Sequence, residues 1–273
     1  YSQIYGRSVT DFAKEDDKIV AITGAMPGGT GLIVFKKEIP ERYFDVGIAE
    51  EHAALFACGL ATQGLRPFLT IYSTFMQRAY DMIVHDMAIQ SLPVRLCMDR
   101  GGLSGDDGPT HHGLFDIAYL RGVPGLVHMQ PKDEDEFVDM LWTMANYDKG
   151  PIAIRYPRGN GPGVTPKAKP QLLEVGKAEL VADGSDVALI GLGEMFPVAQ
   201  KAKAELEAKG LSVALINPRW IKPLDGALIE QVAAKVKVVC TLEDHVLMNG
   251  FGCGVIEHLN DAGIKTPVVR IGW

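Results

Sequence analysis

Four short stretches of this 273-residue sequence gather side chains able to move protons or hold anions. In the first, Phe44 to Ala53, two adjacent carboxylates, Glu50 and Glu51, open a strongly apolar helical pattern. A solvated, acid-rich first turn is one reading, because acids favour a helix N-terminus. The other reading buries one carboxylate in a cleft, where it could hold a proton for acid–base work. The second stretch, Tyr72 to Asp81, follows a strand pattern and opens a helical one, the strand-end position where α/β sheets take ligands. Its aromatics suit a core as well as a cofactor contact, but Arg78 among them is harder to explain by packing.

The third stretch, Asp99 to Gly113, holds five glycines and one proline. A plain surface loop accounts for the glycines, but not for the concentration of Arg100, Asp106, Asp107, Thr110, His111 and His112. Adjacent histidines lack the i, i+4 spacing of a helical zinc pair, so the loop reads as an acid–base or phosphate-binding segment. The fourth, Arg155 to Gly159, ends a strand with two arginines. They fit either a salt-bridged strand end or a phosphate site, since the guanidinium fork is planar and permanently charged.

The elements that must position these groups alternate along the chain. Strand patterns at 18–22, 68–72, 93–98, 125–129 and 152–156 are separated by helical patterns at 50–63, 75–90 and 132–146. The last helix opens on Asp133, Glu134, Asp135 and Glu136, acids that complement the backbone dipole. After a Gly- and Pro-rich stretch the alternation resumes, with strands at 186–192, 211–217, 236–242 and 267–271 and helices at 195–209 and 224–235, followed by a Gly-rich helix before the last strand. This predicts an α/β fold of two domains, each a mainly parallel sheet flanked by helices. Residues 1–158 form the first, 159–171 a linker and 172–273 the second. Gly28-Gly29-Thr30-Gly31 and Gly191-Leu192-Gly193 lie near strand ends without completing G-x-G-x-x-G, so both read as strand-to-helix turns.

Bulk properties narrow the function classes. The formal charge of −7, with acids spread along the chain, does not point to nucleic acid. Cys58, Cys97, Cys240 and Cys253 are far apart and form no C-x-x-C, which predicts neither a zinc site nor a disulfide framework. No apolar run is long enough to span a bilayer and no signal peptide opens the chain, so a soluble intracellular protein with no membrane partner is expected. The chain opens on Tyr1 and stops at Trp273 straight after an apolar strand pattern, and both ends read as cut from a longer sequence.

Taken together, the stretches IAEEHA, YSTFMQRAYD, GDDGPTHHG and RYPRG, in that order and spacing, resemble the 1-deoxy-D-xylulose-5-phosphate synthase family of transketolase-like thiamine-diphosphate enzymes. The similarity runs from Tyr1 to Trp273 and includes Glu243 to Gly252. It implies that the chain corresponds to the pyrimidine-binding and C-terminal domains. The N-terminal domain, whose G-D-G…N motif binds Mg2+ and the cofactor's diphosphate, has no counterpart here, so no metal ligand is expected in this chain.

The resemblance also implies roles. Glu50 matches the carboxylate that hydrogen-bonds the aminopyrimidine nitrogen of thiamine diphosphate, and Glu51 takes no chemical role. Phe75 matches the aromatic that stacks on that ring, while Tyr72 and Arg78 match residues lining the acceptor site. Arg100 and Arg158 match the pair that holds the acceptor's phosphate. Asp107 and His111 match polar groups that position substrate and assist proton transfer, and His112 shapes the loop. The implied reaction decarboxylates pyruvate and joins the remaining two carbons to D-glyceraldehyde 3-phosphate. It gives 1-deoxy-D-xylulose 5-phosphate, a precursor of isoprenoids, thiamine and pyridoxal. A homodimer in a bacterial cytoplasm or plastid stroma is expected, partnered by the N-terminal domain. The alternatives are the C-terminal half of a split transketolase, a 2-oxo acid dehydrogenase β subunit, and a non-catalytic regulatory subunit of the same fold. YSTFMQRAYD and YPRG speak against the first two, and retention of Glu50 and the arginines against the third.

Overall fold

The computed structural model describes residues 1–273 and contains two α/β units. The strands of the first stretch of chain are β1 (Ile19–Thr23), β2 (Tyr43–Asp45), β3 (Arg66–Tyr72), β4 (Arg95–Asp99), β5 (Val127–Met129) and β6 (Ile152–Tyr156). Then come β7 (Glu179–Ala182), β8 (Val187–Gly191), β9 (Val213–Asn217), β10 (Trp220–Lys222), β11 (Val238–Leu242) and β12 (Val268–Ile271). The first sheet has the order β10-β5-β6-β4-β3-β1-β2 and the second β12-β11-β8-β9-β7. All pairings are parallel except β10 with β5 and β7 with β9.

Helices cover both faces of the first sheet, which is why β1, β4 and β6 are buried at every residue and are largely apolar apart from the buried Arg95, Asp99 and Arg155. On one face, α1 (Ser2–Glu15) and α2 (Ile33–Glu38) share a core with the later α7 (Glu134–Ala145), through Tyr5, Val9, Phe35, Phe137 and Met140. On the other, α3 (Glu50–Thr62) lays Ala53, Ala54, Ala57 and Ala61 on the sheet beside Met76 and Met87. Small side chains let this helix sit close, which fixes where its first residue, Glu50, enters the strand ends. The second sheet is covered by α8 (Phe196–Glu207) on one face and by α9 (Gly226–Ala233) and α10 (Phe251–Asp261) on the other.

Besides elements the sequence reading did not assign, α1, β2 and β7 among them, three features depart from it. The helical pattern at 75–90 begins earlier and winds irregularly. It runs through α4 (Ser73–Met76), one 3₁₀ turn at Gln77–Ala79, α5 (Tyr80–Met82) and a π-helical stretch at Ile83–Ala88, changes of winding that a period near 3.6 does not reveal. The 159–171 segment lies against α7. Gly163 N, Val164 N, Lys167 N and Gln171 N donate to Glu134, Asp135 and Asp139 at 2.7–3.1 Å. Of the four acids opening that helix, Asp133 caps it, accepting from Glu136 N at 2.8 Å, while Glu134 and Asp135 receive amides of this segment. Finally, β10 lies within the expected 172–273 unit but joins the first sheet, with Trp220 fully buried in the first core.

Candidate functional site

Strand order in the first sheet reverses at β1, with β2 on one side and β3 on the other. Ligands bind such sheets outside the carboxyl ends of strands at this point, because diverging loops leave a crevice. A cleft of about 460 Å³ opens there, lined by Gly24 to Gly29, Ile48, Glu50, Tyr72, Phe75, Arg78 and His111.

Glu50 is the first residue of α3, only 2% exposed, whereas Glu51 faces solvent. Burial therefore singles out one of the two adjacent carboxylates. Glu50 Oε1 accepts from Arg78 Nη1 at 2.8 Å, and the Arg78 guanidinium lies 5.1 Å from the Phe75 ring centre. Tyr72 stacks on Phe75 with centroids 6.1 Å apart, and the His111 ring meets Phe75 edge-on at 5.3 Å. His111 Nδ1 lies 3.0 Å from Thr110 Oγ1.

The rim is cationic. Arg100 lies 4.0 Å above the Tyr72 ring and donates through Nη1 to Gly29 O at 2.6 Å and Asp99 Oδ1 at 2.9 Å. Its Nε donates to Asp107 Oδ2 at 3.1 Å, while Arg158 Nε reaches the other oxygen of the same carboxylate at 3.0 Å. Some desolvation pushes the Asp107 carboxyl up, but the Arg100 hydrogen bond and the charges of Arg100, Arg158 and His111 bring it below the usual carboxylate range. Asp99 is shifted upward by burial despite Arg100. All eight residues singled out in the sequence thus lie along one cleft and its rim, Arg158 through Asp107.

The next loop, Gly101 to Gly113, closes on itself by paired Gly102–Gly113 hydrogen bonds of 2.8 Å and is shaped by His112, whose Nδ1 accepts from Ser104 N at 3.0 Å. The other strand-end arginine, Arg155, is fully buried. It donates to Asp116 Oδ2 at 2.7 Å, Gln130 Oε1 at 2.7 Å, Gly113 O at 3.0 Å and Asp244 O at 3.2 Å. No cluster of three or more His, Cys, Asp or Glu is arranged to hold a metal ion.

Residues 1–163 match the family model described as "Transketolase, pyrimidine binding domain", and residues 176–273 that described as "Transketolase, C-terminal domain". The chain belongs to the transketolase family. Its similar relatives include the 1-deoxy-D-xylulose-5-phosphate synthases of Acidobacterium capsulatum, 58% identical over 273 residues, and Methylacidiphilum infernorum, 54% identical over 273 residues. The chain is covered completely in both cases but spans only 43% of either relative's length. A solved split gene transketolase, described as an inactive β4 tetramer, superposes with a TM-score of 0.87 at 28% identity, covering 98% of this chain and 87% of that one.

Two features of this transketolase-family site were missed in the sequence. The Gly28-Gly29 turn is a wall of the cleft, since a Cβ added at Gly29 would overlap the Tyr72 hydroxyl. Two glycines just beyond the carboxyl end of a strand were the available signal. The second feature is a carboxyl pair where the units meet. Glu194 lies beside Asp244, its Oε1 buried without a hydrogen-bond partner. Burial, then the charge of Asp244 and the hydrogen bond to it, lift the Glu194 carboxyl well above its ordinary range, with buried Arg155 opposing.

An acid raised in the folded state keeps a proton that the unfolded chain releases, so stability falls as pH rises above the ordinary glutamate value, about 4.3. Glu194→Gln always presents a donor to Asp244. It should match the parent at pH 4 and exceed it at pH 8 by about 1.5–3 kcal/mol, the value of a hydrogen bond to a charged group. Urea unfolding at the two pH values measures this, and a variant weaker at both would refute it.

Proposed function

We propose that this chain carries the pyrimidine-reading and acceptor-binding side of a thiamine-diphosphate site, in a protein that condenses pyruvate with D-glyceraldehyde 3-phosphate, releasing carbon dioxide and forming 1-deoxy-D-xylulose 5-phosphate. The observation that carries this reading is the convergence of Arg100 and Arg158 on one anionic group, the Asp107 carboxylate, at the rim of a cleft floored by buried Glu50. Two guanidiniums so placed suit a phosphorylated acceptor, in keeping with the similarity to 1-deoxy-D-xylulose-5-phosphate synthases.

The residues present fit the cofactor's aminopyrimidine. Glu50 offers a desolvated carboxylate for a ring nitrogen and Phe75 an aromatic face beside it. When bound, thiamine diphosphate supplies a nucleophilic carbon and an electron sink for decarboxylation. Glu50 holds a proton at the pyrimidine nitrogen, and Arg78 balances its charge. Asp107, acidified by Arg100 and Arg158, orients the two guanidiniums until they exchange it for the acceptor's phosphate. His111, at the mouth of the cleft against Phe75, is the group available to pass a proton to the acceptor's oxygen. Mg2+ and the diphosphate belong, in this reading, to an N-terminal domain outside this chain. A homodimer is proposed with it, since Ile48 and Leu55 are large apolar side chains left 80% and 50% exposed. A cytoplasmic or plastid-stromal location completes the proposal.

Arg100→Ala and Arg158→Ala in the full-length protein should each raise the KM for D-glyceraldehyde 3-phosphate by the equivalent of about 1.5–3 kcal/mol, with little change toward pyruvate. Steady-state kinetics with each substrate varied tests this. Equal losses toward both would leave the arginines as structural groups and remove the main support for a phosphorylated acceptor.

A further inference from the structure

The second unit contributes no lining residue to the cleft, yet it grips the loop that carries the cleft's polar groups. Strand order in the second sheet reverses at β8, between β9 and β11, so its own ligand crevice should open beyond Gly191 and Leu242. That crevice holds the base of the Gly101–Gly113 loop. Asp244 Oδ2 accepts from Leu103 N at 3.0 Å and its other oxygen from Trp273 Nε1 at 2.6 Å. Gly102, at φ +90°, is pressed so closely into this corner that an added Cβ would overlap Asp244 and lie 2.9 Å from Glu194 Oε1. At the loop's far end, Arg155 Nη2 bridges Gly113 O and Asp244 O, at 3.0 and 3.2 Å. Both ends of the loop are therefore referred to a single residue of the second unit. Arg100, one residue before the loop, is itself held at φ +62°, a conformation a non-glycine residue keeps only when its surroundings enforce it.

We propose that Asp244 is a positioning residue for the anion-binding rim: by pinning Gly102 and Leu103 it sets the placement of Arg100, Asp107 and His111, so that the second unit acts on the acceptor site through its filled crevice. What the rim binds is taken from the function proposed above; the grip itself does not depend on it. Asp244 acts through the loop and touches no cleft group, so small displacements should weaken acceptor binding while leaving the cleft floor at Glu50 and Phe75 unaltered.

The test approaches the contact from both sides in the full-length protein. Asp244→Ala removes the acceptor for Leu103 N, and Gly102→Ala wedges the same contact apart. Each should increase hydrogen–deuterium exchange of the 101–113 peptide about tenfold or more and weaken binding of glycerol 3-phosphate, the probe, by about tenfold, with exchange of the sheets unchanged. The double variant should be no worse than either single one, because both break one contact. Asp244→Asn keeps an acceptor for the Leu103 amide and should restore most of the protection. In turnover, KM for the phosphorylated aldehyde should rise while the pyruvate half-reaction keeps its rate. Unchanged loop exchange in both single variants, additive losses, or equal damage to both substrates would overturn the proposal. If the wild type shows no such turnover, the proposed reaction fails, while loop exchange and phosphate-probe binding still decide the grip.

Discussion

Glu50→Gln in the full-length protein is expected to slow C2-proton exchange of bound thiamine diphosphate by about 10²–10⁴-fold, the usual span for losing a positioned acid–base group. The structure explains why this residue is the sensitive one. Glu50 is 2% exposed at the cleft floor, and its carboxylate faces Arg78 at 2.8 Å. Glutamine keeps the shape and can still accept from Arg78, so folding should be preserved to within about 1 kcal/mol, the scale of an ion pair with one exposed partner. What glutamine lacks is an acidic proton to share with the pyrimidine nitrogen. The exchange readout needs no substrate, so it separates this role from acceptor binding. Glu51→Gln is the control, because Glu51 is exposed and points about 100° away along the same helix. Wild-type exchange in Glu50→Gln, or a slower Glu51→Gln, would move the catalytic carboxylate elsewhere.

The pairing of these carboxylates illustrates how far the sequence could be read. Their pattern placed both at a helix start and left open which, if either, was buried. Resemblance chose Glu50, and the geometry explains the choice through α3 alanines that lower the helix onto the sheet. The parallel strands β1, β3, β4 and β6 were legible because helices bury both faces, which makes their centres apolar, whereas the three-residue β2 was not assigned. The α1 helix was not assigned although Tyr5, Val9 and Phe12 line up on one face. β10 had no comparable signal: it is three residues long, and its reason for existing is a partner, His128–Met129, some ninety residues earlier. The same limit hid the wall at Gly29, whose meaning depends on Tyr72, and the role of Arg155. That arginine was read as a salt-bridged strand end or a phosphate ligand. Its partners Gly113, Asp116 and Gln130 are scattered along the first unit and Asp244 belongs to the second, so they meet it only in the folded chain.

Arg155→Met should accordingly be the most destabilising of these substitutions, by about 3–5 kcal/mol at neutral pH, the cost of leaving a buried charge without its partner. Methionine approximates the volume, so packing alone would account for less than about 1.5 kcal/mol. The excess would come from Asp116, which is fully buried and retains Oδ1 without any hydrogen bond even in the native protein. Burial is the largest single influence and pushes the Asp116 carboxyl up, but the Arg155 charge, joined by His245, His128 and the Arg155 hydrogen bond, brings it below the ordinary range. A lowered carboxyl contributes stability that is present above the ordinary aspartate value, about 3.9, and is lost as pH falls through its folded value. Without the guanidinium, burial is left to dominate and the sign reverses. The deficit of Arg155→Met should be greatest at neutral pH and shrink as pH falls toward about 4, because the variant's folded carboxyl takes up a proton that the unfolded chain still lacks. Arg7→Met provides the contrast, since its 2.9 Å pair with Asp11 is solvent-exposed and should be worth less than about 1 kcal/mol at any pH. Denaturant unfolding of both variants at pH 7 and pH 4.5 makes the comparison. A pH-independent loss in Arg155→Met would mean that Asp116 is not the group left stranded, and that the arginine's bonds to Gly113 and Asp244 carry its stabilising effect instead.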